Sequence, residues 1–180
     1  MDKQILSLRE KVRLYKTKPT IFIHIDTTGL GYDDEITRLT ILSDDTIIYD
    51  EIFNSSRDIT SQALRASGLT IDDIHKSDVF IKDEIKTIES IISDKLLVCI
   101  NERFTIKYLL RAGINIHENN LLDLTQATDY FAKGDIKSSA DAVKFYGYDV
   151  DPSKNTFDRN FVFYDCACKL KVMANTLLNK

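Results

Sequence analysis

Cysteine is scarce in this chain, and long apolar runs and an excess of positive charge are missing. No apolar stretch approaches the ~20 residues of a membrane-spanning helix, so a membrane role is not expected. Lys3, Arg9, Lys11 and Arg13 interrupt the N-terminal segment, which therefore does not read as a cleaved leader. Three cysteines, Cys99, Cys166 and Cys168, build no disulfide framework and suit a reducing cytoplasm. Cys166 and Cys168 have no partner pair elsewhere, so they read as small buried residues rather than zinc ligands. A net charge of −4 does not advertise nucleic acid. Nor does it exclude it, because proteins that hold nucleic acid through metal ions can be acidic. The charge is uneven: residues 1–20 carry six Lys or Arg against Asp2 and Glu10, leaving −8 for the remainder. There is no internal repeat and no low-complexity linker.

What is present suits one globular domain. The chain has 180 residues, 43% hydrophobic and 29% charged, enough to bury a good core. Residues 3–16 have the spacing of an amphipathic helix, with Ile5, Leu8, Val12 and Tyr15 on one face, and Pro19 ends it. That face either packs on its own domain or serves a dimer or another partner. Residues 1–19 then form a helical extension to a domain over 20–180. Residues 20–26, 36–42 and 46–53 read as three strands of a meander, the last two joined at Asp44-Asp45. The helical stretch that follows is clearest at 61–67 and 81–92. Residues 96–100 form a short continuous apolar run, as in a strand buried on both faces. A helix over 104–111 is stopped by Gly113. A last short strand at 121–123 precedes helices at 124–131, 138–146 and 160–178. This order predicts an α/β fold with a mixed sheet.

Several landmarks then fall in a specific order. His24-Ile25-Asp26-Thr27-Thr28-Gly29-Leu30 is followed by Asp34-Glu35-Ile36 and by residues 59–64 and 68–70. Asn101-Glu102-Arg103-Phe104-Thr105 comes next, and Tyr164-Asp165-Cys166-Ala167 opens the final helix. From residue 20 to 178 the chain resembles the DEDDh 3′–5′ exonucleases, which include the epsilon subunit of bacterial DNA polymerase III and ribonuclease T. The resemblance implies a ribonuclease-H-like fold: a five-stranded mixed sheet, three strands as a meander plus two more, flanked by helices. It also implies two Mg²⁺ or Mn²⁺ ions on four carboxylates, with a histidine as general base.

Matched residue by residue, that machinery is depleted. The acidic pair at i and i+2 of the first strand falls on His24 and Asp26. The gapless alignment is preferred over sliding Asp26 into the first acidic position, because it keeps Ile21, Ile23 and Ile25 on the opposite, buried face. In the second motif Asn101 and Phe104 remain, but the ligand position is Thr105. In the third, Asp165 is retained and the base position is Asn160, which cannot accept a proton. Asp158 is an off-register stand-in for it, and Arg38 replaces a common acidic residue. Four negative charges become two, which leaves a two-ion site strongly uncompensated.

Two readings of each surviving feature stand open. His24 either joins Asp26 and Asp165 in a single-metal site, where imidazole would favour Zn²⁺ or Mn²⁺ over Mg²⁺, or simply pairs with a carboxylate. Thr27, Thr28, Gly29 and Leu30 correspond to the family's pocket for the terminal nucleotide. They either keep that pocket or serve the turn alone, with Gly29 supplying an unusual backbone conformation. The first expectation is an exonuclease-like module with little or no catalysis and no cofactor, binding a single-stranded nucleic-acid end or a protein partner. The alternative is a working exonuclease on DNA or RNA, with Mg, Mn or Zn on rearranged ligands. A cytoplasmic location is expected for either.

Overall fold

The computed structural model describes residues 6–43, 45–117, 120–149, 151 and 154–177. Strands β1 (Thr20–Thr27), β2 (Ile36–Ser43) and β3 (Thr46–Ile52) form the antiparallel meander. Strands β4 (Leu96–Cys99) and β5 (Leu121–Asp123) add in parallel on the other side of β1, giving the order β3-β2-β1-β4-β5. This is the five-stranded mixed sheet that the landmarks imply. Of the expected Asp44-Asp45 turn, Asp44 lies outside the described residues, and Asp45 adopts a positive φ of 60°.

Eight helices among the described residues cover the sheet. They are α1 (Leu8–Thr17), α2 (Ser61–Ser67), α3 (Ile71–His75), α4 (Ile81–Ile92), α5 (Glu102–Arg111), α6 (Leu124–Ala132), α7 (Ser139–Phe145) and α8 (Thr156–Leu177). No helix among them is long and apolar enough to cross a membrane.

The period-2 pattern of β1 divides two cores. Ile21, Ile23 and Ile25 enter one, with Ile88, Ile92 and Leu109. Phe22 enters the other, with Val12, Tyr15, Phe163 and Leu170. His24 and Asp26 share the Phe22 face because alternate side chains point the same way. The gapless reading of β1 agrees with this arrangement.

Three helix starts move from the sequence expectation, each to follow a capping side chain. Of the helix expected over 3–16, residues 3–5, including Ile5, lie outside the described residues. Within the described chain the helix starts at Leu8, because Ser7 and Glu10 form a capping box. Helix α5 starts at Glu102 rather than 104: Asn101, at φ 60°, accepts a hydrogen bond from the Phe104 N–H. Helix α8 starts a turn earlier than residue 160, because the Asn155 side chain accepts from the Asp158 N–H at 2.9 Å. The expected end at Leu178 lies outside the described residues.

The apolar face of α1 is buried within the chain. Val12 and Tyr15 are fully enclosed, and the Tyr15 hydroxyl donates to the Ala167 carbonyl of α8 at 2.5 Å. Lys11 pairs with Glu102 at the start of α5 at 2.5 Å. Cys99 and Cys166 are buried as expected, but Cys168 is exposed, because it falls on the outer side of α8.

Candidate nucleotide-binding cleft

A cleft of about 490 Å³ opens where β1 and β4 end in parallel, beside the antiparallel β2. Ligands of open α/β sheets bind outside the carboxyl ends of the strands at such a switch point. His24, Asp26 and Thr27 of β1 form its floor. Gly29, Leu30 and the α2 residues Ala63 and Ala66 edge one side. Ile100, Asn101, Phe104 and Thr105 make the α5 wall, and Thr156, Arg159 and Phe163 make the α8 wall. The sequence reading did not single out Thr156, Arg159 or Phe163. The signal for them was the Asn155…Asp158 cap, which starts α8 early enough to bring this face to the cleft.

Asp26 is the polar centre. It is 6% exposed, and its Oδ1 lies 3.2 Å from His24 Nε2 and accepts from the Thr156 hydroxyl at 2.7 Å. Its Oδ2 is buried with no protein partner. Burial opposes ionisation of this carboxyl. The His24 hydrogen bond and charge, the Thr156 hydroxyl and the Arg38 charge outweigh it and hold the group below the ordinary carboxylate value. Arg38 itself forks onto Asp50 (2.8 and 2.5 Å) and lies 3.6 Å over the Phe157 ring. It is anchored beside the cleft, as the register partner of Asp26 on β2.

The Thr-Thr-Gly-Leu turn is held from several sides. Thr28 is fully buried; its hydroxyl donates to Asp34 at 2.7 Å and accepts from the Glu35 N–H. Thr28 therefore builds the turn and does not line the cleft. Thr27 donates to the Gly29 carbonyl at 2.6 Å, and Tyr108 donates to the carbonyls of Gly29 and Gly31. Gly29 does not have the unusual backbone conformation expected of it: it is absent from the residues with positive φ. Its constraint is close approach: a Cβ there would sit 2.6 Å from Asp34 Oδ2 and displace a carboxylate that is bonded to Thr28 and the Gly31 N–H. Leu30, 72% exposed, stands at the mouth.

The remaining motif positions divide. Asn101 caps α5 and also borders the cleft. Thr105 is 2% exposed, and its hydroxyl bonds the Cys99 thiol. Glu102 points away from the cleft to Lys11. Asn160 is fully buried outside the cleft lining, with neither carboxamide atom bonded. Asp158 is exposed and borders a smaller hollow with Asp149 and Lys154. Asp165 is exposed on α8 and does not line the cleft. The structure thus brings His24 to Asp26 but does not bring Asp165 to either.

These residues do not fit two divalent ions. Among the described residues the cleft lining supplies one carboxylate, Asp26, with one oxygen already engaged. Among the described residues no group of three His, Cys, Asp or Glu side chains is arranged to hold a metal ion. Hard cations need several anionic oxygens to offset their charge.

The sequence matches no family model, and no curated protein is significantly similar to it. Solved structures do match. One is exonuclease X in complex with 5′ overhanging duplex DNA, at TM-score 0.61 and 19% identity, covering 88% of this chain and 92% of that one. The Neurospora crassa Pan2 catalytic unit, with protease and nuclease domains, matches at TM-score 0.69 and 13% identity, over 91% of this chain but 29% of its own. The zinc-bound E. coli exonuclease I–ssDNA complex matches at TM-score 0.59 and 13% identity, over 88% of this chain and 40% of its own. At such identities the likeness is one of architecture: the five-stranded mixed sheet and its flanking helices have the DEDD-type exonuclease fold.

Proposed function

We propose that this chain is an exonuclease-like module that binds the end of a single nucleic-acid strand in the cleft with little or no hydrolysis. One observation carries the reading: a nucleotide-sized cleft persists while Asp26, the one carboxylate among its described lining residues, is engaged by His24 and Thr156. Phe104 and Leu30 offer apolar surface to a base. Asn101 and Thr27 border the same space, and Arg159 supplies a cation for phosphate. Solved relatives of the fold hold DNA, as overhanging duplex in exonuclease X and as ssDNA in exonuclease I. Among the described residues no second and third ligand joins Asp26 to hold the ions that activate water and offset charge on the phosphate.

The test is a nuclease assay on 3′-labelled single-stranded DNA and RNA with Mg²⁺, Mn²⁺ and Zn²⁺, alongside a binding titration over a range of salt. Binding that weakens steeply with salt and no loss of label are expected. Metal-dependent degradation abolished by Asp26→Asn or Asp165→Ala would instead establish a working enzyme with rearranged ligands. Absence of any oligonucleotide binding would leave a protein partner as the cleft's occupant.

A further inference from the structure

We propose that a single strand whose end occupies the cleft continues outward along the exposed face of α5, over Arg103, Lys107, Arg111 and Tyr32. This rests on the reading of the cleft as a nucleic-acid-end site.

The three cations are spaced i, i+4 and i+8, so they fall along one side of the helix. At ~1.5 Å rise per residue, neighbours stand roughly 6 Å apart along the axis. The same helix begins at the cleft, where Asn101, Phe104 and Thr105 form the wall. The cationic row is therefore continuous with the site. Arg103 and Arg111 are exposed, and neither forms an ion pair among the described residues.

An aromatic surface lies against this row. Tyr32 is 80% exposed, so its ring is open to a base. The Arg111 guanidinium lies 4.5 Å from its centroid. The turn that carries Tyr32 is fixed to α5, because Lys107 Nζ and the Tyr108 hydroxyl both donate to the Gly31 carbonyl, at 3.2 and 3.0 Å. Leu30, on the same turn, reaches back into the cleft mouth. Basic side chains interleaved with an exposed ring, beside a nucleotide-sized cleft, form the pattern that takes phosphates and stacked bases of a single strand. Nearby carboxylates are largely committed: Asp34 bonds Thr28 and the Gly31 N–H, and Glu102 bonds Lys11. Asp33 and Asp58 are the exposed acids bordering the hollow at Tyr32, where Arg57 adds a cation to the three of the row.

The experiment uses the full chain with a DNA dinucleotide, a linear single-stranded octamer and a circular single strand. Each is titrated at several salt concentrations against the native protein, Arg103→Ala/Arg111→Ala, Tyr32→Ala and Tyr32→Phe. The octamer is expected to bind more tightly than the dinucleotide. Removing both arginines should lower the magnitude of the octamer's log–log salt slope by about 1.4, at ~0.7 per contact on a single strand, and leave the dinucleotide unchanged. Tyr32→Ala should weaken the octamer about tenfold, and Tyr32→Phe should retain it, since stacking needs the ring and not the hydroxyl. Equal affinities for dinucleotide and octamer, or an unchanged salt slope in the double variant, would overturn the path while leaving the cleft intact. If the circular strand competes as well as the linear octamer and the dinucleotide does not bind, the end-binding reading fails while the path survives. If the octamer does not bind at all, both fall.

Discussion

Replacing Thr156 with Val isolates the contact that holds Asp26 to α8. The change keeps shape at a half-buried position and deletes one donor, the hydroxyl 2.7 Å from Asp26 Oδ1. Because Oδ2 already lacks a protein partner, the carboxylate would be left with His24 alone. A hydrogen bond to a charged group contributes about 1.5–3 kcal/mol, and a buried anion has little water to replace it. A loss of about 2 kcal/mol at pH 7 corresponds to roughly 4–8 °C in Tm for a domain of this size. The pH dependence supplies the sharper test. In the native protein the folded pKa of Asp26 is depressed, so its contribution is present above the unfolded value of about 3.9 and lost as pH falls through the folded value. Thr156→Val raises the folded pKa toward the unfolded one, which shrinks that contribution. Urea denaturation of both proteins at pH 7 and at pH 3 therefore has a defined outcome: a large difference at pH 7 that narrows as Asp26 protonates. An equal difference at both pH values would show that the hydroxyl acts through packing, and the account of Asp26 as an anion held by two donors would be wrong.

Other expectations follow from single contacts. Lys11→Met strands the largely buried Glu102 and should cost about 3–5 kcal/mol in chemical denaturation, whereas Lys11→Met/Glu102→Met should recover most of that loss. Gly29→Ala forces a Cβ against Asp34; about 1–3 kcal/mol should be lost, with weaker oligonucleotide binding measured by fluorescence anisotropy. Asp165→Ala, at an exposed position outside the cleft, should change stability by less than about 0.5 kcal/mol and leave binding within twofold. A clear binding defect in that variant would place Asp165 in the site after all.

The fold was largely legible because β1 carries its own instructions. Alternating Ile21, Ile23 and Ile25 set its buried face, and the apolar run 96–100 is typical of a strand enclosed on both sides. The site was legible to the extent that its residues sit on that strand. His24 and Asp26 meet because i and i+2 share a face. Beyond the strand, facing depends on where each helix starts. A helix turns by ~100° per residue, so recognising Asp165 within a motif says nothing of where it points until the register of α8 against the sheet is known. The Asn155 cap and the packing of Phe163 decide that register in three dimensions. Gly29 shows a different blind spot. The need for a glycine was readable, but its cause, the Asp34 carboxylate folding back over the turn, is a contact between side chain and backbone that spacing does not reveal.

The clasp formed by α1 bears on the order in which the chain acquires its site. One short helix grips both walls of the cleft from behind, α5 through Lys11–Glu102 and α8 through Tyr15–Ala167. The latter contact joins residues 152 positions apart. Closing so long a loop precedes any reward from the contact, so such pairings form late. During refolding, sheet and helix signals should therefore return before the capacity to bind a strand, and the delay should lengthen when Tyr15 loses its hydroxyl. The cleft belongs to the finished topology and would be the last part of the molecule to begin working.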